Sequence, residues 1–433
     1  MSRSKKLIIG AAIIVVAVIT VLTAVYASGN SLGSVFGLGM PSTQALNEES
    51  SSNSGTENGG TDASSTVPDE TAKAVTGTQD TIQDGQNGND QQETDAVPGE
   101  IKRPKVKAIY LSGTSAGSTK VLDKYIDLIN RTELNAVVID VKEAGKVNYK
   151  SDVPEVADNG LYVKYFDPEK VLKKLHDNNI YVIGRIVCFR DNGFASKYPD
   201  LAVKRPDGSV WIEGKLGAWT NPYKEEVWKY NTDIAKEAIS KGFDEIQFDY
   251  VRFPTAKKNE VSYGSETLKK SDAIYNFLKF AAQEIHDAGV PISADVFGII
   301  AESKSDGEAI GQDLEKVGID IDAISPMVYP SHYAKGQEVN GVTFKKPDLE
   351  PYDVVYQTLL KAKTRISSVT GYKATVRPYL QNFTAKWLKS GNYMTYGPEQ
   401  VRQQIKAVYD AGYEEWILWS PSNLYAEEIF QKE

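Results

Sequence analysis

Cysteine and histidine are scarce in this chain of 433 residues, which contains one cysteine and three histidines. Because a disulfide needs two thiols, the single Cys188 excludes an intramolecular disulfide and a metal cluster held by cysteines. His176, His286 and His332 leave little room for a histidine-rich zinc site. The composition therefore implies no metal and no cofactor.

Basic clusters are lacking as well, and the negative charge is concentrated in one segment. The formal net charge is −9. Residues 28–100 contain twelve acidic residues and one lysine, whereas residues 101–433 are close to neutral. The C-terminal part thus has no electrostatic signature of a nucleic-acid-binding protein, and we predict no nucleic-acid partner.

An apolar segment, residues 7–27, follows three basic residues at the start of the chain. About twenty apolar residues can span a bilayer as a helix, with the positive flank in the cytoplasm. Residues 25–27 also resemble a signal-peptidase site, but a cleaved signal has a shorter apolar region, of roughly 7–15 residues. We predict that residues 1–27 form a single-pass signal anchor in the cell membrane, with the remainder outside the cytoplasm. Cleavage would instead make the protein secreted.

Residues 28–103 are rich in Ser, Thr, Gly, Asn, Gln and Asp and contain almost no aromatic residues. Such a composition cannot bury enough apolar area to offset the entropy lost on ordering. We predict a disordered acidic linker between the membrane segment and a folded domain at 104–433.

From residue 105 onward, short apolar runs alternate with segments that have helical periodicity. Ile274, Phe277, Leu278, Ala281 and Ile285, for example, form one apolar stripe on a helix. The runs predict eight strands, at residues 106–111, 136–141, 181–187, 245–251, 292–297, 323–329, 375–380 and 416–419.

Glycine followed by an apolar residue recurs where a helix would end and the next strand begin. Glycine adopts the left-handed conformation of a helix C-terminus at little cost, and the apolar residue covers the helix end. Asn179 occupies an equivalent position once. The predicted glycine caps are Gly242, Gly289, Gly318, Gly371 and Gly412.

Eight strands that alternate with helices predict an α/β fold, a (β/α)8 barrel of the TIM type. The structural alternative is a doubly wound open sheet. That fold usually has a glycine-rich phosphate loop after an early strand, and residues 113–117 lack the lysine and the spacing of such a loop. We therefore favour the barrel.

The carboxyl ends of the strands carry the candidate functional residues, because active sites of these barrels form there. Asp249 and Asp295 each follow apolar residues on neighbouring strands. A carboxylate at such a depth is costly unless it is paired or functional. Cleavage of a glycosidic bond needs two carboxyl groups, of which one protonates the leaving oxygen and the other attacks the anomeric carbon or activates water. We predict Asp249 and Asp295 as the catalytic pair.

Other strand-end residues suit the binding of a sugar, by hydrogen bonding or by stacking on C–H-rich ring faces. Trp419 is the best candidate for an aromatic platform. The candidate substrate-binding residues are Asp140, Glu143, Arg185, Arg252, Tyr329, His332, Arg377 and Trp419.

The alternative interpretation of these carboxylates is structural. Asp249 would then form an ion pair with Arg185 or Arg252, and Asp140 would orient a nearby basic side chain. Each aromatic residue could equally belong to the core.

Three motifs at the ends of strands 4, 5 and 6, FDEIQFDYVRFP, ISADVFG and SPMVYPSHY, resemble the bacterial family called "putative glycosyl hydrolase domain". The resemblance covers nearly all of residues 105–425. It implies a (β/α)8 barrel related to the glycosidases, often carried behind a signal or an anchor. In amylase-type glycosidases the nucleophilic aspartate ends strand 4, where Asp249 stands. The general acid ends strand 5, usually as a glutamate, so Asp295 departs from that pattern and Glu143 and Asp140 remain competitors.

The leading hypothesis is an extracytoplasmic glycoside hydrolase acting on a polysaccharide or oligosaccharide. The first alternative is a non-catalytic carbohydrate-binding or cell-wall-organising barrel. The second is another carbohydrate-directed reaction, such as that of a lyase or a deacetylase. The low histidine count argues against a metal-dependent deacetylase.

Overall fold

Eight parallel strands lie at the centre of the computed structural model, which describes residues 101–432 except 102 and 258. Strand β7 is in two parts because Pro378 has no N–H to give to the strand ladder. The strands are β1 (Lys107–Leu111), β2 (Ala136–Glu143), β3 (Tyr181–Val187), β4 (Glu245–Asp249), β5 (Ile292–Phe297), β6 (Ala323–Met327), β7 (Thr375–Val376 and Tyr379–Gln381) and β8 (Trp416–Trp419).

The strands close into a barrel, since β1 pairs in parallel with both β2 and β8. Each of the other strands pairs with its neighbours in chain order, also in parallel. All eight carboxyl ends therefore open at one face, as the (β/α)8 prediction requires. The predicted barrel is confirmed.

Helices connect the strands and surround the barrel. The longest of them bury one apolar face against it, as the predicted stripe on residues 274–285 does. The helices are α1 (Gly113–Gly117), α2 (Thr119–Ile129), α3 (Pro154–Ala157), α4 (Pro168–His176), α5 (Asn192–Lys197), α6 (Glu225–Lys241), α7 (Lys270–His286), α8 (Lys304–Ile310), α9 (Leu314–Val317), α10 (Pro351–Ile366) and α11 (Pro398–Asp410).

The junctions between helix and strand follow the predicted glycine pattern with one exception. Gly242, Gly289, Gly371 and Gly412 have positive φ angles, as does Asn179. Gly318, after α9, has φ −104°, so the prediction of a left-handed cap is wrong there. Glycine is required at this position for space instead, because a Cβ atom would lie 2.3 Å from the ring of Tyr372.

Strand β4 ends two residues earlier than predicted. Tyr250 follows it with a φ angle of +52°, a left-handed conformation that turns the chain immediately after Asp249. A non-glycine residue in this region stores backbone strain, and such residues concentrate at functional sites.

Short antiparallel hairpins lie in the connections that follow the barrel strands. The pattern of apolar residues in the sequence did not predict them. Lys146–Val147 folds back on the end of β2 through the two-residue turn Ala144-Gly145. The other two hairpins pair Ile212–Glu213 with Gly217–Ala218, and Gln337–Val339 with Val342–Phe344.

The core lies between the strands and the helices, with a second apolar cluster inside the barrel. Cys188, just after β3, is fully buried in the core between the strands and the helices. Burial raises the pKa of its thiol well above the ordinary value.

The predicted membrane anchor at residues 1–27 and nearly all of the predicted linker at 28–103 lie outside the described residues. Within residues 103–257 and 259–432, no helix combines the length and the apolar character needed to cross a membrane.

Candidate active site

Arg185 occupies the centre of the barrel mouth. It lies near the end of β3, beside Asp140 of β2 and Gln247 of β4 in the strand register, and only 4% of its side chain is exposed. Its Nη1 donates to Asp140 Oδ1 at 2.5 Å and to Glu143 Oε2 at 3.0 Å. Nε and Nη2 donate to Asp249 Oδ2 at 3.1 and 2.5 Å. One guanidinium thus holds carboxylates from two different strands.

Asp249 and Asp295 converge on this guanidinium. Their strands pair in a register that sets Gln247 beside Ser293, so the two aspartates are neighbours on the same face. Arg185 Nε lies 3.1 Å from Asp249 Oδ2 and 3.8 Å from Asp295 Oδ2. The distance between the two carboxylate oxygens therefore cannot exceed the sum of these two lengths.

The carboxyl group of Asp295 favours its protonated form. It is 1% exposed, and Oδ1 has no hydrogen-bond partner within the described part of the chain. Burial raises the pKa of Asp295 well above the ordinary value, and the negative charge of Asp249 raises it further. Arg185 and Arg377 oppose this change without overcoming it.

Asp249 has a different environment, because both of its oxygens accept hydrogen bonds. Oδ2 accepts from Arg185, and Oδ1 accepts from the backbone N–H of Tyr250 at 2.5 Å. The left-handed turn at Tyr250 brings this N–H toward the carboxylate. These donors hold the carboxylate of Asp249 in place, whereas Oδ1 of Asp295 has no hydrogen-bond partner among the described residues.

Asp140 and Glu143 lie on the β2 side of Arg185. Asp140 is buried and accepts a hydrogen bond from Tyr110 Oη at 2.5 Å. Burial raises the pKa of Asp140 to about 7, against the opposing effect of Arg185. Glu143 is the most accessible of the four carboxylates, with 24% of its side chain exposed.

Trp419 at the end of β8 forms an aromatic surface with Tyr110. The two rings stack with a centroid separation of 4.0 Å, and the Arg185 guanidinium lies 5.4 Å from the Trp419 centroid. Trp419 is only partly buried. An aromatic face next to a carboxylate cluster is the arrangement that sugar-binding sites use.

A narrow cleft of about 10 Å³, with room for about one water molecule, lies beside Asp249. Its lining combines this carboxylate with the guanidinium of Arg252 and apolar side chains; the lining residues are Asp249, Tyr250, Arg252, Phe297, Gln312 and Met327. Asp249 is 6% exposed and reaches this space, whereas Asp295 does not line it.

Arg190 is part of this region, although the sequence analysis did not single it out. Its Nη1 donates to Tyr250 Oη at 2.5 Å, and Nη2 lies 4.0 Å from Glu143 Oε1. Its position three residues after β3 was the signal that could have identified it, since loops at the carboxyl ends of strands build these sites.

Tyr329 and His332 lie at the β6 end of the mouth. Tyr329 is buried in the cluster inside the barrel, and His332 contacts Tyr329, Phe383 and Trp387 through its ring. Burial lowers the pKa of His332 to about 4, so this ring is neutral at pH 7 and is not a proton donor of ordinary acidity.

Arg377 does not join the other candidates. It is fully buried, and its guanidinium forms an ion pair with Glu245, the first residue of β4, with Glu415 at 3.9 Å. The amino ends of the strands are opposite the mouth, so this side chain stabilises the closed end of the barrel. The sequence analysis placed Arg377 at the mouth with the other strand-end candidates, whereas the structure places its guanidinium beside Glu245 at the amino end of β4.

The carboxylate cluster is built around an arginine rather than around an empty centre. Across residues 103–257 and 259–432, no group of three histidine, cysteine or acidic side chains is arranged to hold a metal ion.

Solved structures with this architecture include glycosidase domains. The glycoside hydrolase domain of PgaB (BpsB) from Bordetella bronchiseptica is 12% identical, with a TM-score of 0.52, and the match covers 76% of this chain and 99% of that one. A β-galactosidase from Marinomonas ef1 is 12% identical, with a TM-score of 0.51, over 74% of this chain and 57% of that one. At this identity the likeness concerns the fold alone.

A hypothetical protein from Ruminiclostridium thermocellum is 47% identical, with a TM-score of 0.42, over 44% of this chain and 99% of that one. No curated protein matches the chain significantly. The sequence model of the family described as "Putative glycosyl hydrolase domain" matches residues 108–425, which contain the eight barrel strands except the first residue, Lys107. The chain therefore belongs to the "Putative glycosyl hydrolase domain" family.

Proposed function

We propose that this protein is a glycoside hydrolase that cleaves a polysaccharide or oligosaccharide, with Asp249 and Asp295 as its two catalytic carboxyl groups. The observation that carries the proposal is that these side chains, from neighbouring strands, meet at one guanidinium, with Asp249 bordering the narrow cleft at the barrel mouth. Family membership supports the same class of reaction.

Asp249 is the group that acts on the anomeric carbon, either as the nucleophile or as the base that activates water. Arg185 and the N–H of Tyr250 hold its carboxylate in place through hydrogen bonds beside the cleft. The partly buried Trp419, which stacks on the buried Tyr110, provides the face on which the sugar ring stacks.

Asp295 is the proton donor to the leaving oxygen. Its raised pKa favours the protonated state, which is the state that a general acid needs before the reaction. The charged Asp249 beside it produces part of this increase, so the roles of the two aspartates depend on each other.

Glu143 is the competitor for the role of the acid because it is the more accessible side chain. Glu143→Gln and Asp295→Asn separate the two assignments. Loss of the general acid slows substrates with poor leaving groups far more than those with good ones, such as a nitrophenyl glycoside. We expect this difference for Asp295→Asn and not for Glu143→Gln.

The predicted placement of the barrel, tethered outside the cytoplasm by residues 1–27, is part of the proposal. The supporting observation is the apolar segment with its basic flank. Protease treatment of intact cells should remove the barrel domain if this topology is right, and should leave it untouched if the barrel is cytoplasmic.

A non-catalytic carbohydrate-binding barrel is the second candidate function. The observation that favours it is that Arg185 contacts three carboxylates within 3.1 Å, which is also how a purely structural ion network is built. This function predicts retention of a polysaccharide in pull-down experiments without the release of reducing ends.

Asp249→Asn tests the hydrolase directly. We expect reducing-end release to fall by at least about a hundredfold, because the amide can neither attack nor accept a proton. Asp207→Asn at an exposed turn is the matched control and should keep full activity. Circular dichroism should show that both variants are folded. Undiminished hydrolysis by Asp249→Asn would remove this residue from the mechanism.

A further inference from the structure

Arg252, three residues after Asp249, is a buried cation without a protein counter-ion at contact distance. Only 6% of the residue is exposed. Among the residues that the structure describes, no carboxylate lies within 4.0 Å of its guanidinium, in contrast to Arg185 and Arg377. Buried charges are ordinarily paired, because an unpaired one loses its hydration without compensation.

Aromatic rings surround this guanidinium instead. Its central carbon lies 4.7 Å from the Trp219 ring centroid, 4.8 Å from that of Phe297 and 5.2 Å from that of Tyr250. Ring faces attract a cation and hold its plane in place, but they provide no hydrogen-bond acceptor for its N–H groups. These three rings, an aromatic box around Arg252, therefore orient the guanidinium without neutralising its charge.

Most of the donors of Arg252 remain available. Its single hydrogen bond to the described residues runs from Nη1 to the carbonyl oxygen of Phe253, at 3.0 Å. The charged groups that surround it at longer range are Glu213, Asp249 and Arg190. Asp249 is already bound by Arg185, and Glu213 accepts a hydrogen bond from Trp219 Nε1. Neither carboxylate is committed to Arg252.

The same cleft is lined by Arg252 and by Asp249. The cleft is also lined by the amide side chain of Gln312. This amide already forms hydrogen bonds with backbone groups of Phe297, Val251 and Asp295. Because this cleft has room for only about one water-sized group, a sugar at the barrel mouth that presents its anomeric carbon to Asp249 would reach the fixed cation through one small substituent. An arginine fork matches a planar carboxylate through two parallel hydrogen bonds.

We propose that the substrate is an acidic saccharide, whose carboxylate is bound by Arg252 in the cleft next to the reacting bond. This inference rests on the proposed hydrolase function for the location of the sugar and adds its chemical class. The ligand completes an ion pair that the protein leaves open.

Binding to full-length protein carrying Asp249→Asn tests this assignment without turnover. The probes are alginate, polygalacturonate and hyaluronan, each compared with the same polymer after its carboxylates have been reduced to hydroxyl groups. Affinity electrophoresis or calorimetry gives the dissociation constants. We expect at least one acidic polymer to bind at least about tenfold more tightly than its reduced form.

Variants of Arg252 in the same background identify the residue responsible. Arg252→Gln should abolish the preference for the acidic polymer, whereas Arg252→Lys should keep part of it, because the charge remains but the fork is lost. Lys335→Gln, at an exposed position, is the matched removal of a positive charge and should change nothing. Should Arg252→Gln fail to fold, Arg252→Lys and the polymer comparison still decide.

Three outcomes would overturn the inference: equal binding of acidic and reduced polymers, an unchanged preference in Arg252→Gln, or equal binding of dextran sulfate, which carries no carboxylate. The hydrolase proposal fails separately. Release of reducing ends from neutral polymers alone would exclude the acidic substrate and support the hydrolase function. Arg252-dependent binding of an acidic polymer without any hydrolysis would support the acidic ligand and exclude the hydrolase function.

Discussion

At the scale of single residues, the environment of each carboxyl group matters more than its identity. Asp140, Asp249 and Asp295 all lie near Arg185, yet burial raises the pKa of Asp140 and Asp295 while donors surround Asp249. Such divergence between similar groups is how one site provides both an acid and a base.

Asp140 gives a prediction for stability against pH. Its pKa is 3.8 in the ordinary case and about 7 in the folded protein, so the folded state binds its proton more tightly. Stability that depends on this proton is present below about pH 4 and is lost as the pH rises through 7. We expect Asp140→Asn to become more stable relative to the native protein by up to about 4 kcal/mol between pH 4 and pH 7.

Urea unfolding at a series of pH values measures this difference. Above pH 7 it should stay constant, because Asp140 is then ionised in both states. A difference that does not change between pH 4 and pH 7 would show that Asp140 has an ordinary pKa. Asp207→Asn, at an exposed position, serves as the control.

The sequence could predict which strands carry Asp249 and Asp295, because strand order and period-two alternation determine both. It could not predict which arginine would bind them. Arg185 and Arg252 were equal candidates in the chain, and the left-handed turn at Tyr250 sends Arg252 into an aromatic box instead. Side-chain pairing depends on such local backbone geometry, which an apolar pattern does not encode.

At the scale of elements, the turn after β2 positions Glu143. Ala144 and Gly145 have φ angles of +49° and +74°, the conformation of a two-residue hairpin turn that favours asparagine and glycine. A Cβ atom on Gly145 would lie 2.4 Å from the backbone nitrogen of Gly193, at the start of α5. Position 144 can therefore accept glycine, whereas position 145 has no space for a side chain.

We expect Ala144→Gly to stabilise the protein by about 1 kcal/mol, because glycine removes the left-handed strain. Gly145→Ala should destabilise it and lower activity, since the turn and α5 must separate and Glu143 moves with them. Thermal unfolding with activity assays measures both. Gly160→Ala, also at positive φ but with open space around it, controls for strain alone.

The eight strands follow from the alternation of apolar runs with helix-period segments, whereas the ends of β4 and β6 and the three hairpins do not. The hairpin strands are two or three residues long and lack an apolar face of their own. Their pairing depends on turns and on contacts with the barrel, which tertiary structure provides.

At the scale of the whole molecule, the closed end of the barrel includes Arg103. This residue forms an ion pair with Glu415 at 2.6 Å, and Glu415 lies 3.9 Å from the buried Arg377. Arg103, one residue before the predicted domain start at 104, therefore contacts the barrel, which apolar periodicity alone could not predict.

A fragment of residues 101–433 should unfold at the same denaturant concentration as the full chain. A fragment of residues 105–433 should be less stable by about 1–3 kcal/mol, because Glu415 loses a charged partner in a nearly buried position. Arg103→Ala in the longer fragment should reproduce that loss. Equal stability of the two fragments would show that the ion pair contributes nothing.

The burial of Cys188 has a practical consequence. The chain contains no other cysteine, and a thiol that is inaccessible and resists ionisation does not react with maleimides in the native state. A cysteine introduced at an exposed position such as Lys335 is therefore the single site for attaching a fluorophore or a spin label. A pair of cysteines introduced at exposed positions of the native sequence would allow distance measurements between two labels.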